Sequence, residues 1–166
     1  MRKISISNNT VLSNFASIDR LDLLKDVYER VFISLEVYAE IEGGIRHKHL
    51  FQKRTKQIAD LGEWLLVTGL EGNEEDLYRK LKKQLHPGEA SCLAIAINRK
   101  WAFMTDDKDA RKLADVYEVP LSGTVGSLYF SIDQKLISTK EANDLLQQMI
   151  ENGYHSPVPK LKGLFF

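Results

Sequence analysis

Four acidic side chains stand where the sequence pattern allows chemistry: Glu40, Glu89, Asp106 and Asp107. Asp106-Asp107 ends the strand-like run "WAFMT" and opens the helical run "DARKLADVY", so carboxylates fall at a strand end and a helix start. Glu89 follows Pro87-Gly88 and begins "EASCLAIAINRK", a stretch apolar on nearly every face. A charge fixed that close to a core must face a cleft, a metal or a partner. Glu40 lies in "LEVYAEIEGG" between apolar Val37 and Ile41, with Glu36 one turn earlier and Glu42 nearby. Plainer roles compete for each: Asp107 as a helix cap, Glu89 as a first-turn acid, Glu40 as part of an exposed acidic face. The stretch "SISNNTVLSNF" poses a further question. In many α/β enzymes the first strand ends on an organising carboxylate, and here that place holds the amides Asn8 and Asn9.

The elements that must position these residues alternate along the chain. Period and breakers predict strands at Ile4–Ser7, Val31–Ile33, Trp64–Thr68, "WAFMT" and Val119–Leu121. Helices are predicted at Val11–Ala16, Leu21–Tyr28, from Leu35 through Ile41, Ile45–Leu61 and Glu74–Leu85. Further helices are predicted at "EASCLAIAINRK", Asp107–Tyr117, Gly123–Asp133 and Thr139–Glu151. Gly43-Gly44 reads as a break, Ser138 or Thr139 as a cap, and Gly153 onward as an irregular tail. Strands alternating with helices imply an α/β fold with a mostly parallel sheet and helices on both faces. In such sheets ligands sit beyond the strand carboxyl ends, at the topological switch point. Neither GxGxxG nor GxxxxGK[ST] occurs, so neither nucleotide-binding glycine loop is present.

The bulk numbers narrow the class. The 166 residues suit one domain, 1–166, and 43% hydrophobic with 28% charged residues is globular. Lys+Arg and Asp+Glu are both 23, so any nucleic-acid footprint must come from local clusters. The start Met1-Arg2-Lys3-Ile4-Ser5 lacks a long apolar region and no run nears a membrane span, so neither signal peptide nor membrane insertion is expected. A single cysteine, Cys92, excludes an internal disulfide and reads as a buried thiol in a cytoplasmic protein.

The best basic cluster is "RHKHLFQKRTK", which offers Arg46, Lys48, Lys53 and Arg54 to phosphates or else forms a solvated helix face. Arg111, one turn beyond the aspartates, is a further phosphate candidate. Thr10 reads as the cap of the first helix, and Ser122-Gly123-Thr124 as a helix start whose N–H groups suit a phosphate or simply begin the helix. His47 and His49, two apart on a helix, point away from each other and make no metal pair. His86 either borders the cleft of Glu89 or forms the turn, and Trp64 and Trp101 read as core.

Three stretches together resemble the PIN-domain family, in particular its small stand-alone branch related to toxin-type ribonucleases. They run from "SNNTVLSNFA" through "VFISLEVYAEI", from "HPGEASCLAIA" through "TDDKDARKLA" to "GTVGSL", and over "LISTKEANDLLQQMIENGYH". The resemblance implies a Rossmann-like three-layer fold with four or five strands. It also implies acidic residues that bind Mg²⁺ or Mn²⁺ and hydrolyse RNA. Position by position it puts metal or catalytic roles on Glu40, Glu89, Asp106 and Asp107, with the first metal carboxylate falling on Asn8. An amide oxygen can ligate a hard cation but brings no charge, so weaker metal binding is expected. The alternative is a degenerate PIN fold that binds RNA or a protein without cleavage. A homodimer and an antitoxin protein are the partners the resemblance implies. A weaker third reading is a protein-interaction module acting through the Gly153–Phe166 tail. Against it, the two terminal Phe residues, Phe165 and Phe166 after Leu164, read as docking on the domain or on a second subunit.

Overall fold

The structure, a computed structural model, describes residues 4–163. The readings made on Met1–Lys3 and on Leu164-Phe165-Phe166 therefore lie outside the described residues. Five strands form one parallel sheet in the order β3-β2-β1-β4-β5, with β1 at Ser5–Ser7, β2 at Val31–Ser34, β3 at Leu65–Thr68, β4 at Ala102–Met104 and β5 at Leu121–Ser122. Ser5 pairs with Val31 on one side and Ala102 on the other, so β1 is the central strand. The chain runs outward through β2 and β3, then crosses back to β4 and β5. The switch point thus lies at the carboxyl ends of β1, β2 and β4, where Asn8, Ser34 and Thr105 stand.

Helices cover this sheet: α1 at Asn9–Ala16, α2 at Leu21–Val27, α3 at Leu35–Arg46, α4 at Gln52–Leu61, α5 at Asn73–Leu81, α6 at Pro87–Arg99, α7 at Lys108–Val116, α8 at Thr124–Asp133 and α9 at Thr139–Glu151. The helix that carries Glu89 is α6, and it lies across β1, β2 and β4 with α5 and α7 beside it. Its continuous burial from Ala90 to Ala96 explains the all-round apolar sequence, and its small residues let it sit close to the strands. Pro87 occupies the first turn, which fixes the helix start just ahead of Glu89. On the other side α8 packs against α1, α2 and α9. No helix among the described residues is long and apolar enough to cross a membrane.

Element ends move where side chains outside the local pattern decide them. Asn8, not Thr10, caps α1: its Oδ1 accepts from the Val11 N–H, so the helix begins at Asn9. Gly43-Gly44 does not break α3, which continues to Arg46. Within it Gly44 lies against Gln52, whose Cγ would be 3.2 Å from an added Cβ. The break falls instead between α3 and α4, where Lys48 takes a φ of 68°, so the single long helix expected over Ile45–Leu61 does not form. The helix expected at Glu74–Leu85 starts at Asn73 and stops at Leu81, and the last strand shifts to Leu121–Ser122. Ser138 caps α9 with a reciprocal box to Glu141. The segment beyond α9 is irregular but anchored: the Asn143 side chain bonds both the N–H and the carbonyl of Leu161, a buried residue. Trp64 is buried just ahead of β3, while Trp101 is only partly buried, stacked on Phe32 at 4.4 Å.

Candidate metal and nucleic-acid site

Asn8 leaves β1 fully buried, and its hydrogen bonds fix its orientation. The capping bond takes Oδ1, so Nδ2 faces the other way and donates to Thr105 Oγ1 at 2.9 Å and to Glu89 Oε1 at 3.5 Å. Thr105 itself is buried and accepts from the Asp107 N–H at 3.1 Å, which ties the end of β4 to the end of β1. Ser34, at the end of β2, caps α3 through Val37 and accepts from Ser91 on α6 at 2.7 Å. These short side chains set α3 and α6 at the switch point, and α3 brings Glu40 to the first turn of α6. A Cβ on Gly88 would overlap the Glu40 carboxylate, so the glycine makes the space that Glu40 fills.

Glu40 and Glu89 thus form a close acidic pair. Burial first, and then the charge of Glu89, push the Glu40 carboxyl up from 4.5 to about 7; the Gly88 N–H and His86 pull the other way. Glu89 Oε2 is buried and has no hydrogen-bond partner. An unpartnered buried carboxylate oxygen beside a second carboxylate is the donor set that a hard cation satisfies. Among the described residues no group of three or more His, Cys, Asp or Glu converges with metal-binding geometry, so the fit rests on this pair and its neighbours.

The two aspartates diverge, as neighbours leaving a strand do. Asp107 caps α7 through Oδ1, at 2.8 Å from the Ala110 N–H, and lines a cleft of about 270 Å³ with Glu89, His86, Lys82, Lys83 and Asp109. Asp106 turns the opposite way. Its Oδ1 accepts from the Thr124 N–H at 3.0 Å and its Oδ2 from the Thr124 hydroxyl at 2.6 Å, with Asn14 Nδ2 at 3.4 Å. The first N–H of α8 is therefore given to Asp106 and not to a phosphate, and the buried Ser122 hydroxyl accepts from Tyr28. Thr10 is exposed on α1, away from the capping bond expected of it. A Cβ on Gly123 would overlap Asp106 Oδ1, so a second glycine makes room for a second site carboxylate.

The expected cations divide likewise. Arg111 donates to the Thr105 carbonyl at 2.7 Å and reaches the Ser122 carbonyl at 3.4 Å, which places it beside Asp106. Arg46, Lys48 and Lys53 are exposed, and Arg54 lines a separate groove with Asp19, Asp22, Lys25 and Glu63. Within this cluster Gln52, at the start of α4, is tied to α1 by bonds to Asn9 at 3.3 Å and Ser13 at 2.7 Å. Lys82 and Lys83, on the cleft of Glu89, lie just past the end of α5 in a run of mixed charge that gives no local sign of a site. Thr105 and Asn14 also escaped notice; the only trace of Thr105 in the sequence is its place between a strand and two acids.

With this geometry in view, comparison with known sequences is decisive: the family model described as DUF3368, PIN domain, matches residues 4–162. The chain belongs to the PIN-domain family. A search of curated proteins gives no match. Among solved structures, VapBC-1 from nontypeable Haemophilus influenzae is similar at 15% identity and a TM-score of 0.55, covering 74% of this chain and 98% of that one. VapBC2 from Rickettsia felis, solved bound to a DNA fragment from its promoter, is similar at 14% identity and a TM-score of 0.53, covering 72% and 98%. At these identities the likeness is one of fold, and it agrees with the parallel α/β sheet of this PIN-domain chain.

Proposed function

We propose that this PIN-domain protein is a metal-dependent ribonuclease that hydrolyses RNA phosphodiesters, acting in the cytoplasm as the toxin of a toxin–antitoxin pair. The observation that carries the reading is the buried, unpartnered Glu89 Oε2 facing Glu40 at the switch point. Glu40 and Glu89 would hold Mg²⁺ or Mn²⁺, with Asn8 beside them and Asp107 on the same cleft as Glu89. The cation supplies charge that polarises a phosphodiester and activates water. Asn8 orients Glu89 through Nδ2, Thr105 holds Asn8, and Asp106 fixes the start of α8 next to the cleft. Lys82, Lys83 and Arg111 flank the acids and suit the phosphates of a strand crossing them. The VapBC likenesses support an antitoxin as partner, and the family resemblance supports a homodimer.

The test is incubation of the purified protein with single-stranded RNA and Mn²⁺ or Mg²⁺. Cleavage, and a melting temperature raised by the metal, are expected, and Glu89→Gln should remove both. Neither effect in the unaltered protein would overturn the reading.

One observation favours a second reading, binding without cleavage. Asn8 presents N–H₂ to Glu89 where a carboxylate would present an acceptor. Asn8→Asp separates the two readings. Under the nuclease reading it strengthens metal binding and leaves or raises cleavage, whereas a protein inert both before and after the change is a binder only.

A further inference from the structure

On the side of β4's end to which Asp106 turns lies a larger cleft of about 830 Å³, between α7, the end of β5, α8 and the segment that follows α9. We propose that this cleft is a nucleotide subsite: it seats one nucleotide of the single-stranded RNA that crosses the Glu40–Glu89 pair. The inference rests on the ribonuclease reading above and extends it to where the strand is gripped.

The cleft carries the two features that single-stranded nucleic acid requires, cationic groups for the backbone and an aromatic face for a base. Lys108 and Arg111 line one side, and against them stands the single carboxylate of Asp106, already committed to Thr124. The lining therefore carries net positive charge on a chain that is neutral as a whole. Phe130 also lines the cleft and is 44% exposed; among the described residues its ring meets that of Tyr28 edge-on at 6.4 Å. Leu121, Val125 and Pro157 continue the apolar surface around it.

The remaining wall is a fixed one. Tyr154 is 8% exposed and its N–H bonds the Met149 carbonyl at 3.0 Å. Ser156 and Val158 bond each other twice, and Asn143 clamps Leu161 beyond them. The Tyr154 ring forms part of this wall, with its buried hydroxyl held beside Thr124 and Ser156. The wall is thus built before a ligand arrives, which limits the entropy lost on binding.

The test uses a fluorescent single-stranded RNA carrying 2′-O-methyl groups, titrated without divalent metal so that binding is read apart from cleavage. Lys108→Ala and Phe130→Ala are each expected to weaken binding about threefold to tenfold, with unchanged thermal melting. Lys140→Ala, outside the cleft, should leave it unchanged. Equal affinity in all the variants, or equal weakening by Lys140→Ala, overturns the subsite while the ribonuclease reading stands. Binding that obeys these expectations in a protein that never cleaves RNA overturns the nuclease and keeps the subsite. A protein that does not bind the RNA overturns the subsite.

Discussion

Glu40 is taken out of water beside Glu89 at the start of α6, and that burial, with the repulsion from Glu89 second to it, should be visible in stability before any activity is measured. The Glu40 carboxyl is raised from 4.5 to about 7 in the folded chain, so folding takes up a proton between those values. For a raised pKa the associated stability is complete below about pH 4.5 and is lost as pH climbs through about 7. Because Glu40 is partly exposed, solvent screening trims the effect to about 1 kcal/mol, or about 2–4 °C in melting temperature. Calorimetry of the metal-free protein between about pH 5 and about pH 8 should show that decline. Glu40→Gln should flatten it and melt higher at the alkaline end. A second prediction concerns Gly88, whose missing side chain makes the space for Glu40. Gly88→Ala should keep the fold, since alanine favours a helix by about 1 kcal/mol, yet displace Glu40. The Mn²⁺-dependent rise in melting temperature should then shrink or vanish.

Elements were legible in the sequence wherever one local period decided them, and illegible where a partner far along the chain did. The alternation of strands and helices and the buried α6 followed from spacing and residue type alone, which also narrow the cap of α9 to Ser138 or Thr139. What spacing could not show is that Asp106 would leave its neighbour to bind Thr124 and Asn14, or that Asn8 would spend its oxygen on capping α1. The same blindness covered Glu74, which read as the first acid of a charged helix. It is fully buried, bonded by Arg99 Nε at 2.8 Å and Nη2 at 2.9 Å, and by Asn98 at 2.9 Å. Arg99 also donates to Thr68 Oγ1 and the Gly69 carbonyl, so this one pair joins α5, the end of α6 and the end of β3. Removing one member of a buried pair strands the other, at a cost of about 3–5 kcal/mol. Glu74→Ala should therefore lower the urea midpoint strongly. Because α6 carries Glu89, it should also weaken metal binding at a distance.

At the scale of the molecule the balance of charge decides how a strand can be held. With 23 basic and 23 acidic residues the chain has no net charge to attract RNA at long range, so the RNA binding proposed above would be short-ranged and set by local cations. The cations that border the two clefts are Lys82 and Lys83 on the Glu89 side and Lys108 and Arg111 on the Asp106 side. Glu89 and Asp107 line the first cleft and Asp106 the second, so both clefts border the carboxyl end of β4. If these four cations each meet one phosphate, counterion release sets the salt dependence. The slope of log affinity against log salt should then be about −3, since each contact on a single strand contributes about −0.7. The exposed group Arg46, Lys48, Lys53 and Arg54 makes the contrast, because a strand bound there would leave the slope untouched by changes at the clefts. Lys82→Ala with Lys83→Ala should reduce the slope by about one to one and a half, and Lys53→Ala with Arg54→Ala should not. The opposite pattern would move the RNA path from the sheet's carboxyl edge to α4.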